Sequence, residues 1–426
     1  MALSYQAPFP ILGSRFLALF AQEFQVNKFG GLLILSALAV STLSAAGAAT
    51  TGKTVNARDF GAKGDGITDD SLAIQSAIQA AGQGGTVNIP AGTFSLGLAG
   101  QSQQSGLVGR VGTFPDGKPI LSTLMLSKPG IRLLGVGSAT ILKLAPQTKA
   151  RAISVMTSAT GAVIANMVVD GNKSARFTPD SYPNGYIVDA MVAGWLSKGL
   201  IVSAVESRNG MEDGVGCWQC DSVTYAYNYN HDNGVGAAGA TGASYSGING
   251  LIRDNRFENN NGAGLWSAWA TDQITIQNNT MSGNTGAAID AGGQGITGHD
   301  TNYAITDNTL TGNGTAGFAA IEIRGIVKGT LSGNTINDNI AGVRFQNGVA
   351  SVASSNWTVT NNVISNKVGR VQSKGIWIAG TSSAIQATGN TLSNNGVSLA
   401  DQVFVEPTAS INANYATVNA LSFEAP

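Results

Sequence analysis

Hydrophobic and polar residues alternate in short runs along most of the chain, with a spacing of two. In Gln273-Ile-Thr-Ile-Gln-Asn, Ile274 and Ile276 fall on one side and Thr275 and Gln277 on the other. Such runs are rich in Val, Ile, Thr and aromatic residues, which is strand spacing rather than helical spacing. One segment breaks the rule. Residues 68–81, Thr-Asp-Asp-Ser-Leu-Ala-Ile-Gln-Ser-Ala-Ile-Gln-Ala-Ala, place Leu72, Ile74, Ala77, Ile78 and Ala81 on one helical face. Thr68 or Asp69 is expected to cap this helix.

The runs recur. Asn255-Arg-Phe-Glu-Asn is followed by Asn279-Thr-Met-Ser-Gly-Asn, Asn308-Thr-Leu-Thr-Gly-Asn, Asn334-Thr-Ile-Asn-Asp-Asn, Asn362-Val-Ile-Ser-Asn and Asn390-Thr-Leu-Ser-Asn-Asn. The intervals are 24, 29, 26, 28 and 28 residues, and Asn228-Tyr-Asn-His-Asp-Asn is a weaker copy one interval earlier. A period of this length marks a solenoid or a propeller. No helix-length amphipathic segment lies between the copies, and each is too short for the four strands of a propeller blade. Three short strands per coil, stacked about 4.8 Å apart, predict an all-β, single-stranded parallel β-helix. The helix at 68–81 would cap its first coil, whose edge would otherwise be open. The repeated asparagines are expected at coil corners, tolerating left-handed backbone and bonding to one another along the stack.

Composition narrows the function classes. Of the 426 residues 43% are hydrophobic and only 12% charged, with 24 basic and 25 acidic side chains giving a net charge of −1. That excludes disorder and lacks the basic stripe of a nucleic-acid binder. The 56 glycines fit many tight turns. At the N-terminus, Lys28 precedes the apolar run Leu32–Leu43 and the small residues Ala46-Gly47-Ala48, the layout of an export signal. The run is short for a bilayer span, so residues 1–49 are read as an extension plus signal peptide and residues 50–426 as the β-helix domain. No membrane anchor is expected, and a secreted or periplasmic location follows. Cys217 and Cys220 fit buried thiols or a local disulfide in an exported protein better than a redox or zinc motif.

Residues 54–97 carry a more specific signal. They run Thr54-Val-Asn-Ala-Arg-Asp-Phe-Gly-Ala-Lys-Gly-Asp-Gly-Ile-Thr-Asp-Asp, then the helix, then Gly84-Gly-Thr-Val-Asn-Ile-Pro-Ala-Gly-Thr-Phe. This strongly resembles the opening of the pectate-lyase-like, or polygalacturonase-like, right-handed parallel β-helix superfamily. That group holds polygalacturonase-type hydrolases, mannuronan epimerases, lyases and phage tailspikes. The resemblance implies that this segment builds the capped end, so Asp59, Asp65, Asp69 and Asp70 are expected to be structural. The chemistry is not settled by it. The sequence has no Gly-His-Gly or Arg-Ile-Lys of the polygalacturonase pattern (His299 sits in Gly298-His-Asp), no Asp-Pro-His of the mannuronan epimerases, and none of the main pectate lyase motifs.

The resemblance also implies a glycan-binding groove along one exposed sheet. Aligning the strands after the Asn corners gives Val215-Gly-Cys-Trp, Leu265-Trp-Ser-Ala, Ile289-Asp-Ala-Gly, Ile321-Glu-Ile-Arg, Val343-Arg-Phe-Gln and Ile376-Trp-Ile-Ala. Alternation turns Leu265, Ile289, Ile321, Ile323, Val343, Phe345, Ile376 and Ile378 inward. Gly216, Trp266, Asp290, Glu322, Arg344 and Trp377 then form an outward column, with Trp218, Arg324 and Gln346 in the next one. Two neighbouring carboxylates split their protonation, one becoming an acid and the other a nucleophile or base, so Asp290 and Glu322 are the catalytic candidates. Tryptophans offer flat faces to sugar rings and arginines grip carboxylates or hydroxyls, so Trp218, Trp266, Arg324, Arg344, Gln346 and Trp377 are substrate-binding candidates. The bland alternative is a solvated ion ladder of Glu322 with Arg344 or Arg324.

Asp213, His231 and Asp232 are secondary candidates, and a loop over Asn172–Tyr186 is expected to overhang the groove. No metal or cofactor is called for. The sequence therefore predicts a polysaccharide- or oligosaccharide-active enzyme, first a glycoside hydrolase, with a uronan lyase or C5-epimerase, or a non-catalytic adhesin, as alternatives.

Overall fold

The computed structural model describes residues 52–97, 111–113, 119–148, 150–175, 190–235, 240–269, 271–293, 300–315, 317–348, 351–367, 373–412 and 419–424. The expected export signal, His299 and most of the expected overhanging loop lie outside these residues. Short strands wind into a right-handed parallel β-helix with three faces. Apart from the antiparallel pairing of Val111–Thr113 with Pro119–Leu126, neighbouring strands among the described residues run parallel.

Face A, the important one here, stacks eleven strands. They are Pro119–Leu126, Arg151–Val155, Ala190–Trp195, Asp213–Asp221, Ala243–Ile248, Leu265–Ser267, Ile289–Gly292, Ile321–Arg324, Val343–Gln346, Ile376–Ile378 and Val403–Val405. Face B runs from Thr54–Asn56 to Ser383–Thr388, and face C from Asp65–Asp69 to Ala420–Ser422. Each coil thus contributes one short strand per face, as the repeat length requires. Inward residues from all three faces make one continuous core, for example Leu265, Ile289, Ile321, Val343 and Ile376 on face A.

Two asparagine ladders hold the corners. In the first, Asn255, Asn279, Asn308, Asn334, Asn362 and Asn390 are buried, and the side-chain oxygen of each accepts from the backbone N–H and side-chain amide of the ladder residue one coil earlier. In the second, at the corner between faces C and A, Asn260, Asn284, Asn313 and Asn339 do the same for Asn233, Asn260, Asn284 and Asn313. Parallel stacking leaves corner N–H groups without a ladder partner, and a buried amide supplies both a donor and an acceptor there. The left-handed backbone falls one residue earlier than expected. Asp254, Asn278, Asp307 and Asn361, each just before a ladder Asn, have φ between 53° and 57°. The turn residue takes the left-handed geometry; the ladder residue takes the hydrogen bonds.

The capping helix spans Ser71–Ala81, later than the expected start at residue 68, because Asp65–Asp69 pairs as a strand on face C. Neither Thr68 nor Asp69 therefore stands at its N-cap. Asp69 instead accepts from Ser71 N and Gly97 N, and buried Asp70 from Lys63 N (2.6 Å) and Gly64 N (3.0 Å). The Asp65 carboxyl is held down at about 2 by backbone bonds from Thr68 and Ile67. This acidic cluster spends its oxygens on local backbone. Ile74, Ala77, Ile78 and Ala81 are buried as expected, but Leu72 is exposed, lying on the solvent side of the helix. Gln75 closes the open edge of face A, donating to Met125 O (3.1 Å) and accepting from Met125 N (2.8 Å). Among the described residues, no helix is long and apolar enough to cross a membrane.

Candidate active site

Face A sets up an outward column by simple alternation. Its pairing runs Gly216–Ser244–Trp266–Asp290–Glu322–Arg344–Trp377–Phe404, one residue per coil. Ser244 is a correction: the coil Ala243–Ile248 separates Gly216 from Trp266, which are therefore not on successive coils. Its strand reads Ala-Ser-Tyr-Ser-Gly-Ile and lacks the leading Leu, Ile or Val that marks the others.

At the centre stand two carboxylates with different environments. Glu322 points away from the core but is not open to solvent; its exposure is 0%. One carboxylate oxygen accepts from Ala319 N (2.7 Å) and Arg344 Nη2 (2.7 Å), and the other from Arg344 Nε (2.8 Å) and Gln346 Nε2 (2.8 Å). A planar guanidinium fork grips both oxygens, the strong geometry for a carboxylate. This corrects the expectation that Glu322 and Gln346 face substrate together: Gln346 and Arg344 are turned onto Glu322. The same bonds show that the ion ladder with Arg344 is a buried one rather than a solvated one.

Asp290 keeps 15% of its side chain exposed and pairs with the Arg324 guanidinium. Burial pushes its carboxyl up from 3.8 to about 6; Arg324 opposes the shift, and the charge of Glu322 adds to it. Two glycines make room for Arg324. Gly292 sits opposite it with φ +77°, and a Cβ there would lie 2.2 Å from Arg324 O; a Cβ on Gly293 would lie 2.9 Å from Arg324 Cδ. The sequence Asp290-Ala-Gly-Gly thus supplies both the carboxylate and the cleft into which the arginine of the next coil folds.

Aromatic rings flank this centre. On the C-terminal side Arg344 lies over Trp377 (5.0 Å), whose Nε1 donates to Glu406 Oε1 (3.1 Å), and Phe404 follows edge-on (6.4 Å). On the N-terminal side Trp266 meets Trp269 at 5.1 Å, and Trp218 meets Trp195 at 6.4 Å beneath Arg151. Trp218 is only 5% exposed, so it is packed beneath other groups rather than presented to solvent as expected. Five of the six tryptophans lie on face A or at its exit; Trp357 is the core exception. Sequence reasoning missed Trp195, Trp269, Phe404 and Glu406. Trp195 had a signal, since it stands on the coil before Trp218 in the same register.

The secondary candidates fall elsewhere. Asp213 opens a face A strand, and its carboxylate accepts from Thr241 N (2.7 Å). His231 is on face C, stacked on Tyr229 (4.0 Å), with Nδ1 2.6 Å from Asp232 Oδ2 and Nε2 3.3 Å from Glu206 Oε1. His231 and Asp232 are therefore not brought to Asp290 and Glu322. Among the described residues, no cluster of His, Cys, Asp and Glu has the arrangement of a metal site.

Residues 54–313 match the family described as rhamnogalacturonase A/epimerase, pectate lyase-like. The chain belongs to this family. Residues 267–422 also match a right-handed β-helix region. Mannuronan C5-epimerase AlgE2 of Azotobacter vinelandii is 28% identical over 244 residues, 55% of this chain and 22% of that protein. Alginate lyase 7 of the same organism is 33% identical over 141 residues, 31% of this chain and 14% of that protein. The chain thus spans a minor part of the length of these curated relatives. Among solved structures, the A-module of A. vinelandii mannuronan C-5 epimerase AlgE6 superposes with a TM-score of 0.57 at 20% identity, covering 87% of this chain and 99% of that one. An exopolygalacturonase from Thermotoga maritima gives 0.53 at 15%, covering 84% and 90%. These likenesses show the shared fold of the family.

Proposed function

We propose that the chain is an exported, polysaccharide-active enzyme that cleaves glycosidic bonds in a glycan laid along face A. The observation that carries this reading is the unequal carboxylate pair on adjacent coils, set between aromatic flanks. Asp290, with its carboxyl raised to about 6, holds a proton up to mildly acidic pH and donates it to the leaving glycosidic oxygen as the C–O bond breaks. Water adds at the anomeric carbon and passes its proton to the Asp290 carboxylate, which restores the acid. Glu322 is a positioning residue: it fixes Arg344 and Gln346, and its charge helps keep the proton on Asp290. Trp266 on one side and Trp377 on the other are placed to stack on sugar rings.

A second reading is a uronan lyase or C5-epimerase, favoured by the names of the Azotobacter relatives. In it Asp290 takes the proton beside the substrate carboxylate, and Arg324 or Arg344 balances that charge. Two observations weigh against it: both arginines are already paired with carboxylates, and the Asp-Pro-His of mannuronan epimerases is missing from the sequence. Incubation with neutral and uronic-acid polysaccharides, followed for reducing ends and for unsaturated uronate absorbance, separates the two. New reducing ends without unsaturation support hydrolysis. Unsaturated products, or inverted uronate without cleavage, support the second reading, and binding without any turnover leaves a glycan-binding adhesin.

A further inference from the structure

Cys217 and Cys220 are bonded to each other, and both are buried in the core of the β-helix. In a regular strand, residues three apart point to opposite faces. Both sulfurs reach the core because the strand Asp213–Asp221 carries a bulge. Cys217 pairs with Tyr245 and Cys220 with Gly247, so Trp218 and Gln219 stand opposite Ser246 alone. Gln219 takes the left-handed turn (φ 53°) and its N–H donates to Ser246 Oγ (2.8 Å). Both neighbouring coils are shaped to this feature. A Cβ on Gly194 would lie 2.6 Å from Cys217 Sγ, and one on Gly247 would lie 1.9 Å from Cys220 O. Bulge, cross-link and glycines form one unit.

Alternation turns Trp218 outward after inward Cys217, and the bulge that follows it carries exposed Gln219 and returns Cys220 to the core. Its indole folds back over Gly216, where a Cβ would lie 2.5 Å from the ring, and packs with Ala190 and Ala193 against Trp195, Trp266 and Trp269. We propose that the Cys217–Cys220 disulfide is a positioning device for the aromatic end of the groove: it locks the bulge that seats Trp218 as the floor on which Trp195, Trp266 and Trp269 form a sugar-ring subsite. This deepens the proposed function and rests on it for the identity of the ligand. The subsite lies on the N-terminal side of Asp290, so the substrate is an oligosaccharide long enough to reach across the coil that carries Ser244. Opening the disulfide releases Cys217 and Cys220 on either side of Trp218, which loosens the backbone that seats the indole and unsettles the rings packed on it.

The test compares the wild-type protein, the wild type held reduced in dithiothreitol, and the Cys217→Ser/Cys220→Ser variant. Each is examined by near-ultraviolet circular dichroism of the indoles and by kinetics on a polygalacturonate and a mannuronan hexasaccharide. Reduction is expected to change the indole spectrum and raise KM about tenfold, with kcat within a factor of about two, because binding rather than proton transfer is weakened. Trp218→Ala should raise KM to a similar extent. A lower melting temperature with an unchanged indole spectrum and unchanged KM overturns the proposal, since the disulfide would then serve stability alone. If the variant does not fold, the reduced wild type gives the comparison. If the wild type turns over neither oligosaccharide, the reading of the groove fails separately, and the indole spectrum still decides whether the disulfide seats Trp218.

Discussion

Glu322→Gln probes the heart of the site. The substitution keeps shape and volume but replaces one carboxylate oxygen by an NH2 group and removes the charge. In the wild type four donors converge on the two oxygens at 2.7–2.8 Å, three of them from Arg344 and Gln346. An amide turns its NH2 toward two of these donors whichever way it is placed, and Arg344 loses its counter-charge. Breaking a buried ion pair in this way costs about 3–5 kcal/mol, which chemical denaturation at neutral pH would read directly. The variant should also act on Asp290. Glu322 raises the Asp290 carboxyl and Arg344 lowers it, so losing the first and exposing the second moves it down from about 6. Turnover that needs protonated Asp290 would then fall off at lower pH than in the wild type. A variant that unfolds at the wild-type denaturant concentration, or whose high-pH limb stays put or moves up, would contradict this account of the carboxylate pair.

Further outcomes follow from the same geometry. Asp290 is a carboxyl with a raised folded value, so the folded state holds its proton more tightly and stability falls as pH rises through the interval from 3.8 to about 6. That interval is worth up to about 3 kcal/mol, so Asp290→Asn should be more stable than the wild type at pH 7.5 by up to that amount; a loss of stability at that pH would count against it. Gly292→Ala forces a Cβ to within 2.2 Å of Arg324 O at φ +77°; it should displace Arg324 and lower kcat/KM at least tenfold, and unchanged turnover would mean that the cleft is not needed. Asn334→Ala strips Asn308 N–H and Nδ2 of an acceptor and leaves Ile305 O without its amide donor. With one orphaned buried group and several lost bonds the cost should be about 3–5 kcal/mol, read as a lower denaturation midpoint; a cost below about 1 kcal/mol would mean that the ladder is ornamental.

The architecture was legible because a parallel stack writes itself into sequence as a period. Each coil needs an amide at the same corners, so Asn279, Asn308 and Asn334 announce the repeat, while period-two runs announce the faces. The register of face A from Trp266 to Trp377 could be aligned because each strand there begins with a buried Leu, Ile or Val. It broke at Ala243–Ile248, where Tyr245 takes the core position and small residues surround it. Alternation also tells which way a side chain leaves the strand but not what lies over it. Nothing in Ile-Glu-Ile-Arg announces that Glu322 ends fully buried, because its cover comes from Arg344 and Gln346 one coil later. Trp218 is the same case: it leaves the strand outward as alternation says, but Ala190, Ala193, Trp195, Trp266 and Trp269 pack against it. Leu72 shows the limit for a single amphipathic helix, whose apolar stripe is wider than the surface it covers.

The most direct test of the central claim is the pH dependence of kcat/KM for the wild type beside Asp290→Asn, measured on the polysaccharide that the wild type degrades. With Asp290 as the proton donor, wild-type kcat/KM declines as pH rises through about 6, and Asp290→Asn loses at least about a hundredfold in activity together with that decline. An Asp290→Asn protein that keeps wild-type turnover with the same pH profile would show that the chemistry of this groove lies with another group.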